Sequence, residues 1–391
     1  MTMNMPVPPI EFIDLKAQRA RIGARMERAI MGAVEAGQYI LGPQVAEFEQ
    51  KMAAFCGAKH VIGTANGTDA LGICLMALGL RPGDAVICPA FTFAATAEAV
   101  AWLGATPIFV DIDEATYNMD PKALAVALDT ATRLGLKAKA VIAVDLFGQM
   151  ADYDAIEAFC AEHGLKLICD SAQGFGASYK GRRAGVIGDF TTASFFPAKP
   201  LGCYGDGGAI ATNDDASDAL IRSLRFHGKG DYKYDNVRIG MNSRLDTLQA
   251  AILLEKLAVF EDEIAARQVV AARYDSGLAD MALTPFIMPE CVSVWAQYTI
   301  RVPAASRDAF QAALKAKGVP TTVYYPKPLN EQTAYKRFPV AGNGLPVSER
   351  VAKEVVSLPM HPYLDEATQA YIIAAAREAL ADVPKVKLGQ G

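Results

Sequence analysis

The amino-acid sequence predicts an α/β fold, in which a large domain with a mainly parallel sheet covered by helices precedes a smaller C-terminal α+β domain. Up to about residue 170, short apolar runs alternate with segments of helical periodicity. The runs are almost continuously apolar, which is typical of strands buried on both faces. The alternation ends at a long helical segment that begins near residue 243. Repeated strand–helix alternation indicates right-handed βαβ units and therefore a parallel sheet.

The large domain is predicted to begin with helical sequence over residues 16–55, interrupted near Gly37. Strands are predicted at residues 61–65, 85–89, 107–111, 138–145, 165–170 and 189–196. Helices are predicted between them at residues 70–80, 96–103, 121–128 and 152–163. Active sites of such sheets lie beyond the carboxyl ends of the strands. Four side chains follow strand-like runs and are expected at that edge: Asn66, Phe91, Asp170 and Lys199.

A long helix is predicted over residues 243–260, and helical sequence with more charge continues over 261–276. We place the domain change within this connection, which gives a large domain with an N-terminal arm over residues 1–260 and a small domain over 261–391. The small domain is predicted to contain a strand, a helix, a loop around Tyr324 and two further helices, at residues 298–302, 307–317, 324–326, 348–356 and 366–380.

Composition excludes several classes of protein. The formal net charge of -5 and the charged fraction of 21% argue against a nucleic-acid groove or an anionic membrane patch. No run approaches the roughly 18–20 apolar residues of a membrane span, and residues 1–9 lack the basic and apolar regions of a signal peptide. Seven dispersed cysteines without a CxxC pair indicate free thiols, and four scattered histidines indicate no metal site. We therefore expect a cytoplasmic protein.

The stretch Asn66-Gly67-Thr68-Asp69 joins a predicted strand to a predicted helix. A glycine-containing turn at a helix start directs free backbone N–H groups to one spot, where the helix dipole also favours an anion. This pattern predicts a phosphate site. An ordinary N-cap by Asn66 or Thr68 is the alternative at this point.

Two further strand ends carry groups that a planar heterocycle could use. Phe91 and Phe93 follow the strand at 85–89, where either ring could stack on such a ligand or belong to the core. Asp170 ends the apolar strand 165–170. A carboxylate there needs a cationic partner, such as a protonated pyridine nitrogen, unless it caps the following turn.

Lys199 lies in a stretch that is built to hold one position. Pro197 and Pro200 flank it closely, and four glycines follow between residues 202 and 208. Proline stiffens the loop, and glycine leaves room for a close neighbour. A lysine that attacks a carbonyl must be partly neutral, and burial favours that state. A solvated surface lysine is the alternative. The order of phosphate turn, aromatic residue, strand-end Asp and Gly-flanked Lys is the order expected of a pyridoxal-phosphate enzyme.

The sequence also resembles the sugar aminotransferases of the DegT/DnrJ/EryC1/StrS family from Phe12 to about Tyr371, nearly the whole chain. The matching segments are Ala65-Asn66-Gly67-Thr68-Asp69-Ala70-Leu71, Pro89-Ala90-Phe91-Thr92-Phe93, Asp170-Ser171-Ala172-Gln173, Ser194 to Gly208, Gly240-Met241-Asn242-Ser243-Arg244, and Tyr324-Tyr325-Pro326-Lys327-Pro328-Leu329. The resemblance implies the aspartate-aminotransferase (type I) fold and the cofactor pyridoxal 5'-phosphate, with pyridoxamine phosphate as its aminated form.

The resemblance also implies roles for individual residues. Lys199 would bind the cofactor covalently and shuttle a proton, while Asp170 would keep the pyridine nitrogen protonated. The remaining cofactor-binding residues would be Gln173 at the ring hydroxyl, Phe93 on the ring face, Gly67, Thr68 and Ser194 at the phosphate, and Asn242 reaching that phosphate from the neighbouring subunit. The active unit would then be a homodimer with shared active sites. Asp206 departs from the family pattern, in which Glu is common.

The implied reaction transfers an amino group from L-glutamate to a nucleotide-linked keto-sugar. The sequence of the Lys199 stretch, together with Pro328-Leu329-Asn330, is most similar to the corresponding sequence in one branch of the family. That branch acts on UDP-2-acetamido-2-deoxy-3-oxo-glucuronate in surface polysaccharide (O-antigen) biosynthesis. Suitable substrate-binding residues are Arg244, Tyr324, Tyr325 and Lys327. For Arg244 a salt bridge at a helix N-terminus is the alternative, and for Lys327 a solvated loop position. A dTDP- or GDP-linked 3- or 4-keto-sugar, or a non-catalytic regulatory protein, are the competing functions.

Overall fold

The structure is a computed structural model that describes residues 9–232 and 234–388. The predicted N-terminal arm therefore lies largely outside the described residues. The helices, in chain order, are α1 (Leu15–Ile22), α2 (Ala24–Ala36), α3 (Pro43–Cys56), α4 (Gly67–Ala77), α5 (Ala95–Trp102), α6 (Ala123–Arg133), α7 (Tyr153–His163), α8 (Asp215–Leu224), α9 (Thr247–Leu278), α10 (Arg307–Ala316), α11 (Pro346–Glu354) and α12 (Glu366–Leu380).

The strands, in chain order, are β1 (His60–Thr64), β2 (Asp84–Pro89), β3 (Thr106–Val110), β4 (Lys137–Val144), β5 (Lys166–Asp170), β6 (Ser178–Tyr179), β7 (Arg182–Arg183), β8 (Phe190–Ser194), β9 (Gly208–Thr212), β10 (Cys291–Val292), β11 (Tyr298–Arg301) and β12 (Val355–Leu358). Seven of them form the main sheet in the order β1-β9-β8-β5-β4-β2-β3. Strand β9 runs antiparallel to both of its neighbours, and the other pairs are parallel. The predicted fold class, a mainly parallel sheet within an α/β fold, is confirmed.

Both faces of the main sheet are buried, which explains why its strands are continuously apolar. One core packs side chains of α3, α6, α7 and the first half of α9 against the sheet, among them Phe48 and Phe260. The opposite core is formed with α4, α5 and α8, and includes Leu71 and Val100. Covering both faces with helices is the arrangement that parallel sheets require.

The long helix α9 connects the two parts of the molecule. Its N-terminal part, as far as Ile264, contributes Phe260 and Ile264 to a core of the large sheet. Its C-terminal part contributes Val270 and Tyr274 to a separate core with β11, β12, α10 and α12. The helix runs without interruption through residues 260 and 261. The boundary between these residues stays a prediction, and the change of core lies a turn or two further along the helix.

Two predicted elements differ in detail. The N-terminal helical region is interrupted not only after α2 but also at Gly23, whose φ of 61° lies in the left-handed region that glycine adopts readily. The helix predicted over 348–356 ends at Glu354, because Val355–Leu358 pairs with β11 as strand β12. That run is β-branched and fully buried, so tertiary pairing decides its conformation. No helix among the described residues combines the length and apolar character needed to cross a bilayer.

Candidate active site

The candidate residues lie at the ends of three strands, at one edge of the main sheet. Strands β1, β5 and β8 point in the same direction, and their carboxyl ends lead to Asn66, Asp170 and Ser194. Lys199 follows β8 by five residues. Together these residues line a cavity of about 660 Å³ at that edge. The structure therefore brings together the phosphate turn, the strand-end carboxylate and the lysine, which lie far apart in sequence.

The loop that carries Lys199 is closed by its own backbone. Phe195 N–H donates to the Gly207 carbonyl at 2.7 Å, and Cys203 N–H donates to the Phe195 carbonyl at the same distance of 2.7 Å. Lys199 N–H donates to the Phe196 carbonyl at 2.8 Å. A side chain at Gly202 would place its Cβ 2.5 Å from the Pro197 carbonyl oxygen, so only glycine allows the loop to close.

A glutamine on α9 fixes the far side of this loop. The Gln249 amide accepts a hydrogen bond from Tyr204 N–H at 2.9 Å and donates one to the Tyr204 carbonyl at 3.2 Å. The Lys256 ammonium, also on α9, lies 4.5 Å from the centre of the Tyr204 ring. The lysine loop is thus attached to the helix that joins the two cores.

Asp170 and Lys199 are close enough for each charge to affect the other. Burial raises the pKa of Asp170, and the hydrogen bond from Ala172 N–H, the Lys199 charge and Thr96 partly oppose that rise. Burial lowers the pKa of Lys199, and the Asp170 charge opposes this shift. Both shifts favour the neutral forms, because burial away from water penalises charge. Such a pair is suited to proton transfer and to binding a cationic ring nitrogen.

A second carboxylate lies behind Asp170. Asp145 is fully buried and accepts hydrogen bonds from Ala151 N–H at 3.1 Å, from the Tyr153 hydroxyl at 2.6 Å and from the Ser171 hydroxyl. Its own N–H donates to the Asp170 carbonyl at 3.0 Å. Burial raises the pKa of Asp145 to about 7 despite these donors. Asp145 was not predicted as a site residue, because its burial depends on tertiary contacts with Tyr153 and Ser171 that the local sequence does not show.

The orientation of the Gln173 amide is determined by its neighbours. Its oxygen accepts a hydrogen bond from Phe147 N–H at 2.7 Å, and its nitrogen donates to the Tyr325 hydroxyl at 2.9 Å. Phe147 has a φ of 58°, an uncommon conformation for a residue with a side chain. The second N–H of the Gln173 amide has no partner among the described residues, so it can donate to a ligand in the cavity.

The predicted phosphate turn has the required geometry. Helix α4 starts at Gly67, and the Asn66 side chain accepts a hydrogen bond from Asp69 N–H at 2.7 Å. A Cβ on Gly67 would lie 2.7 Å from the Cβ of Ser194, so this glycine allows β8 to approach the turn. An N-cap and a phosphate site are therefore compatible at this turn. The cap uses one N–H, while Gly67, Thr68 and Ser194 line the cavity at the helix N-terminus.

The two candidate aromatics occupy different environments. Phe91 is 1% exposed and packs edge-on against Phe147 and Tyr325, with ring centres 6.3 and 6.0 Å away. Phe93 is 57% exposed and lies on the cavity wall, 6.3 Å from the Tyr325 ring. Only Phe93 has a face available to a ligand, so the core alternative applies to Phe91.

Three predicted residues lie outside this cavity in the protomer. Asn242 and Lys327 are exposed, and Arg244 stacks on Phe226 with its guanidinium carbon 4.6 Å from the ring centre. Between Asn242 and Arg244, Ser243 is buried: its hydroxyl accepts a hydrogen bond from Ala65 N–H at 3.1 Å. This contact ties the segment to the residue just before the phosphate turn. Tyr324 and Tyr325, by contrast, line the cavity as predicted.

The structure adds cavity residues that the sequence analysis missed. Most come from the helices around the opening or from the start of β11, where nothing in the local sequence distinguishes a cavity position from a surface or core position. The added residues that could contact a ligand are Asp69, Glu98, Trp102, Phe196 and Gln297. No cluster of three metal-ligating side chains occurs within the described ranges.

Comparison with known proteins agrees with this geometry. The DegT/DnrJ/EryC1/StrS aminotransferase family model matches residues 20–377. The chain belongs to this family. The UDP-2-acetamido-2-deoxy-3-oxo-D-glucuronate aminotransferase of Pseudomonas aeruginosa is 54% identical over 367 residues, covering 94% of this chain and 99% of that protein.

Solved structures of the DegT/DnrJ/EryC1/StrS family share the fold. The aminotransferase from Brucella abortus has a TM-score of 0.94 at 52% identity, covering 95% of this chain and 100% of that one. The NtdA protein of Bacillus subtilis, solved with bound cofactor PMP, has a TM-score of 0.85 at 30% identity, covering 96% of this chain and 85% of that one. The predicted type I aminotransferase fold is confirmed, and the chain is a PLP-dependent aminotransferase.

The cavity of this family member fits the cofactor. A partly neutral lysine amine can bond its aldehyde, a buried carboxylate can face its ring nitrogen, and the N-terminus of α4 can hold its phosphate. Gly67 allows Ser194 to approach the helix N-terminus closely, so both residues line the place where the phosphate would bind. The expected cofactor therefore agrees with the residues present.

Proposed function

We propose that the protein transfers the amino group of L-glutamate to UDP-2-acetamido-2-deoxy-3-oxo-glucuronate. The observation that carries the proposal is the 54% identity to a protein of that named activity over nearly the full length of both chains. The geometry supports it, because the cavity has an amine, a carboxylate and an anion-binding helix terminus at one sheet edge. When bound, pyridoxal phosphate supplies the electron sink that makes the substrate Cα–H acidic.

In this proposal, Lys199 is the catalytic base and acid. Its Nζ would take the proton from the substrate carbon that bears the amino nitrogen. It would then deliver a proton to the carbon on the other side of that nitrogen. Burial lowers the pKa of Lys199, so a larger fraction of the amine is neutral and able to accept the proton. The closed backbone of its loop keeps the amine in reach of the reacting atoms.

Asp170 and Gln173 are proposed to hold opposite edges of the cofactor ring. The Asp170 carboxylate would face the ring nitrogen and keep it protonated, since a cationic N–H relieves the cost of the buried carboxylate. Gln173 would donate to the ring hydroxyl through the N–H that is not used for Tyr325. The exposed face of Phe93 would cover the ring. Gly67, Thr68 and Ser194 would bind the phosphate.

A homodimer with shared sites is proposed because one protomer lacks the cations that the substrate requires. Lys199 is the only cation among the described residues that line the cavity, whereas four carboxylates do so: Asp69, Glu98, Asp170 and Asp206. A UDP-linked uronate carries a diphosphate and a carboxylate, which need compensating charge. The basic residues Arg238 and Arg244 lie on the segment 226–244, outside this cavity.

The same segment has a surface suited to a second copy. Tyr232, Val237 and Ile239 are 77%, 52% and 87% exposed, which is unusual for such side chains in a monomer. Seating this segment on a second protomer would cover these side chains and bring Asn242 and Arg244 to the partner's cavity. Asn242 would then contact the phosphate, and Arg244 would bind the substrate carboxylate or diphosphate.

Tyr324, Tyr325 and Lys327 are proposed to complete substrate recognition on the small-domain side. The two tyrosines line the cavity, and the exposed Lys327 lies two residues beyond them. We further propose that the reaction occurs in the cytoplasm and serves surface polysaccharide (O-antigen) biosynthesis. The described cysteines are all free thiols, as expected in a reducing compartment.

The proposal is tested by transamination of a panel of nucleotide keto-sugars with L-glutamate as donor. The UDP-linked 3-oxo uronate is expected to give the highest kcat/KM, followed by its uncharged UDP analogue and then by dTDP- and GDP-linked 3- and 4-keto-sugars. A higher kcat/KM for a dTDP- or GDP-linked sugar would contradict the substrate assignment. A protein that takes up pyridoxal phosphate but does not react with glutamate would favour the regulatory alternative.

A further inference from the structure

Lys256 is a buried cation on the face of α9 that meets the loop carrying Lys199. The residue is 1% exposed, and its Nζ has no hydrogen-bond partner among the residues that the structure describes. Burial lowers the pKa of Lys256 to about 8, opposed by the Glu263 carboxylate, so the amine is still largely protonated at neutral pH. A buried charge is costly, and lysine is rarely buried without a partner. The group that this ammonium contacts is therefore informative.

That group is the ring of Tyr204. The Lys256 Nζ lies 4.5 Å from the ring centre, a distance at which the face of an aromatic ring attracts a cation without a hydrogen-bond acceptor. Gln249 precedes Lys256 by about two turns of α9 and hydrogen-bonds both backbone polar groups of Tyr204. The helix therefore holds Tyr204 at two points, its backbone through Gln249 and its ring through Lys256.

The residue next to Tyr204 closes the loop around Lys199. Cys203 binds the Phe195 carbonyl through both its N–H, at 2.7 Å, and its thiol, at 3.1 Å. Lys199 lies between these two residues in sequence, and its own N–H donates to the Phe196 carbonyl at 2.8 Å. If Tyr204 moved away from α9, it would pull on the Cys203 contacts that close the loop. The position of the Lys199 amine therefore depends on where Tyr204 is held.

We propose that Lys256 is a positioning residue for Lys199: its ammonium holds the Tyr204 ring against α9 and thereby keeps the loop closed. Lys256 is not among the described residues that line the cavity, so it acts through Tyr204 and not by touching cofactor or substrate. Methionine would fill a similar space without the cost of burying a charge. The inference rests on the proposed catalytic role of Lys199, but not on the identity of the keto-sugar.

Lys256→Met removes the charge and keeps the approximate length of the side chain. The variant should resist urea at least as well as wild type, because no charge is buried. The glutamate half-reaction of the holoenzyme should nevertheless slow by about tenfold, since a displaced amine reacts less readily. Amide hydrogen exchange of the apoprotein, followed by mass spectrometry, should become about 5–30-fold faster in peptides covering residues 195–205 and stay unchanged in β4.

Matched variants separate the ring contact from other effects. Lys180→Met is the control, because the exposed Lys180 Nζ also lies over a tyrosine ring, 5.2 Å from the centre of Tyr179, and should change neither readout. Tyr204→Leu should reproduce the defects of Lys256→Met, whereas Tyr204→Phe keeps a ring face and should behave as wild type. The double variant Lys256→Met/Tyr204→Leu should be no slower than the slower of its two parents.

A wild-type value of either readout in Lys256→Met would overturn the inference. Additive losses in the double variant would also overturn it, because the two side chains would then act independently. Lower urea resistance with faster exchange throughout the main sheet would indicate a structural role instead. If wild type does not react with glutamate, the proposed function is contradicted, and exchange over residues 195–205 still decides whether Lys256 holds the loop.

Discussion

The inner wall of the cavity and the segment 226–244 have opposite physical character. The inner wall, here Asp170, Gln173, Ser194 and Lys199, lies at strand ends and is held by backbone and buried side-chain hydrogen bonds. The segment is a loop in which several described side chains are exposed, among them Val237, Arg238 and Ile239, the last of which is 87% exposed. The first region can hold a ligand in one geometry within a single protomer. The second has the charge and the surface that the first lacks.

This difference separates chemistry from binding. The groups suited to proton transfer are all present in one chain, because a parallel sheet gathers its strand ends at one edge. The groups suited to bind an anionic substrate, Arg238 and Arg244, do not line the cavity at that edge. In the proposed dimer, the second copy would supply the binding groups, whereas the proton-transfer groups already lie together in one protomer. Breaking either region alone should therefore give distinguishable defects.

The two regions are nevertheless attached to each other at one place. Ser243 N–H donates to the Arg225 carbonyl at 2.9 Å, and the Arg225 guanidinium pairs with Glu49 at 2.6 Å and with the Gly63 carbonyl at 2.7 Å. The same Glu49 accepts the N–H of Gly63 at 2.8 Å. A buried ion pair thus connects β1, which leads into the phosphate turn, with the start and the end of the segment.

The largest effect is expected from Lys199→Ala, which removes the proposed base from the inner wall. Transamination should fall by at least about 10⁴-fold, because both the covalent attachment and the proton transfer are lost. The measurement is the rate of the glutamate half-reaction after reconstitution with pyridoxal phosphate. Loss of less than about tenfold would contradict the role given to this amine.

A mixture of two inactive variants tests whether the segment of one protomer serves the site of the other. Lys199→Ala and Asn242→Asp damage the inner wall and the segment, respectively. If the segment serves the partner's site, a mixed dimer has one site with both defects and one intact site. Refolded mixtures should then recover up to about a quarter of wild-type activity. Activity no higher than the average of the two parents would show that each protomer uses its own segment.

Asp145→Asn is expected to change how the stability of the inner wall depends on pH. Burial raises the pKa of Asp145 to about 7 in the folded state, well above the usual value for an unfolded chain. The folded state therefore binds more protons between about pH 4 and pH 7, so this group lowers the free energy of unfolding as pH rises. The total change is about 4 kcal/mol.

Asparagine cannot ionise and can keep the contacts of Asp145, by accepting from Ala151 and Tyr153 and donating to Ser171. Urea unfolding should give similar stabilities for variant and wild type at pH 4, and a more stable variant at pH 8. Asp129→Asn, at an exposed position on α6, is the control and should show no such divergence. A constant difference between Asp145→Asn and wild type across this range would contradict the buried-carboxylate explanation.

Glu49→Gln tests the attachment between the two regions. The substitution leaves Arg225, which is 6% exposed, without its buried counter-charge, and should cost about 3 kcal/mol of unfolding free energy. Glu47→Gln on the same helix removes an exposed pair with Lys51 and should change stability by less than about 0.5 kcal/mol. Urea unfolding at neutral pH measures both. Similar small effects for the two variants would mean that the buried pair does not hold the segment.

Sequence reasoning succeeded where local pattern and fold agree. Asp170, Ser194 and Lys199 follow apolar strands, and the glycines around them mark close approaches that the structure contains. It failed where tertiary contacts decide. Val355–Leu358 is a strand because it pairs with β11, and Gln297 lines the cavity although its local sequence does not mark it. Asn242 and Arg244 both lie outside the protomer's own cavity. The resemblance implied this for Asn242, which would serve the neighbouring subunit, but it gave no such position for Arg244.

The smallest effect is expected from Arg244→Ala, which alters the segment without touching the inner wall. If the guanidinium binds the substrate carboxylate, kcat/KM should fall by about 10–100-fold with the UDP-linked uronate and by a few-fold at most with its uncharged analogue. The glutamate half-reaction reports on the inner wall in the same variant. Equal losses with the charged and uncharged sugars would exclude a carboxylate contact, and they would assign Arg244 to the diphosphate that both substrates share.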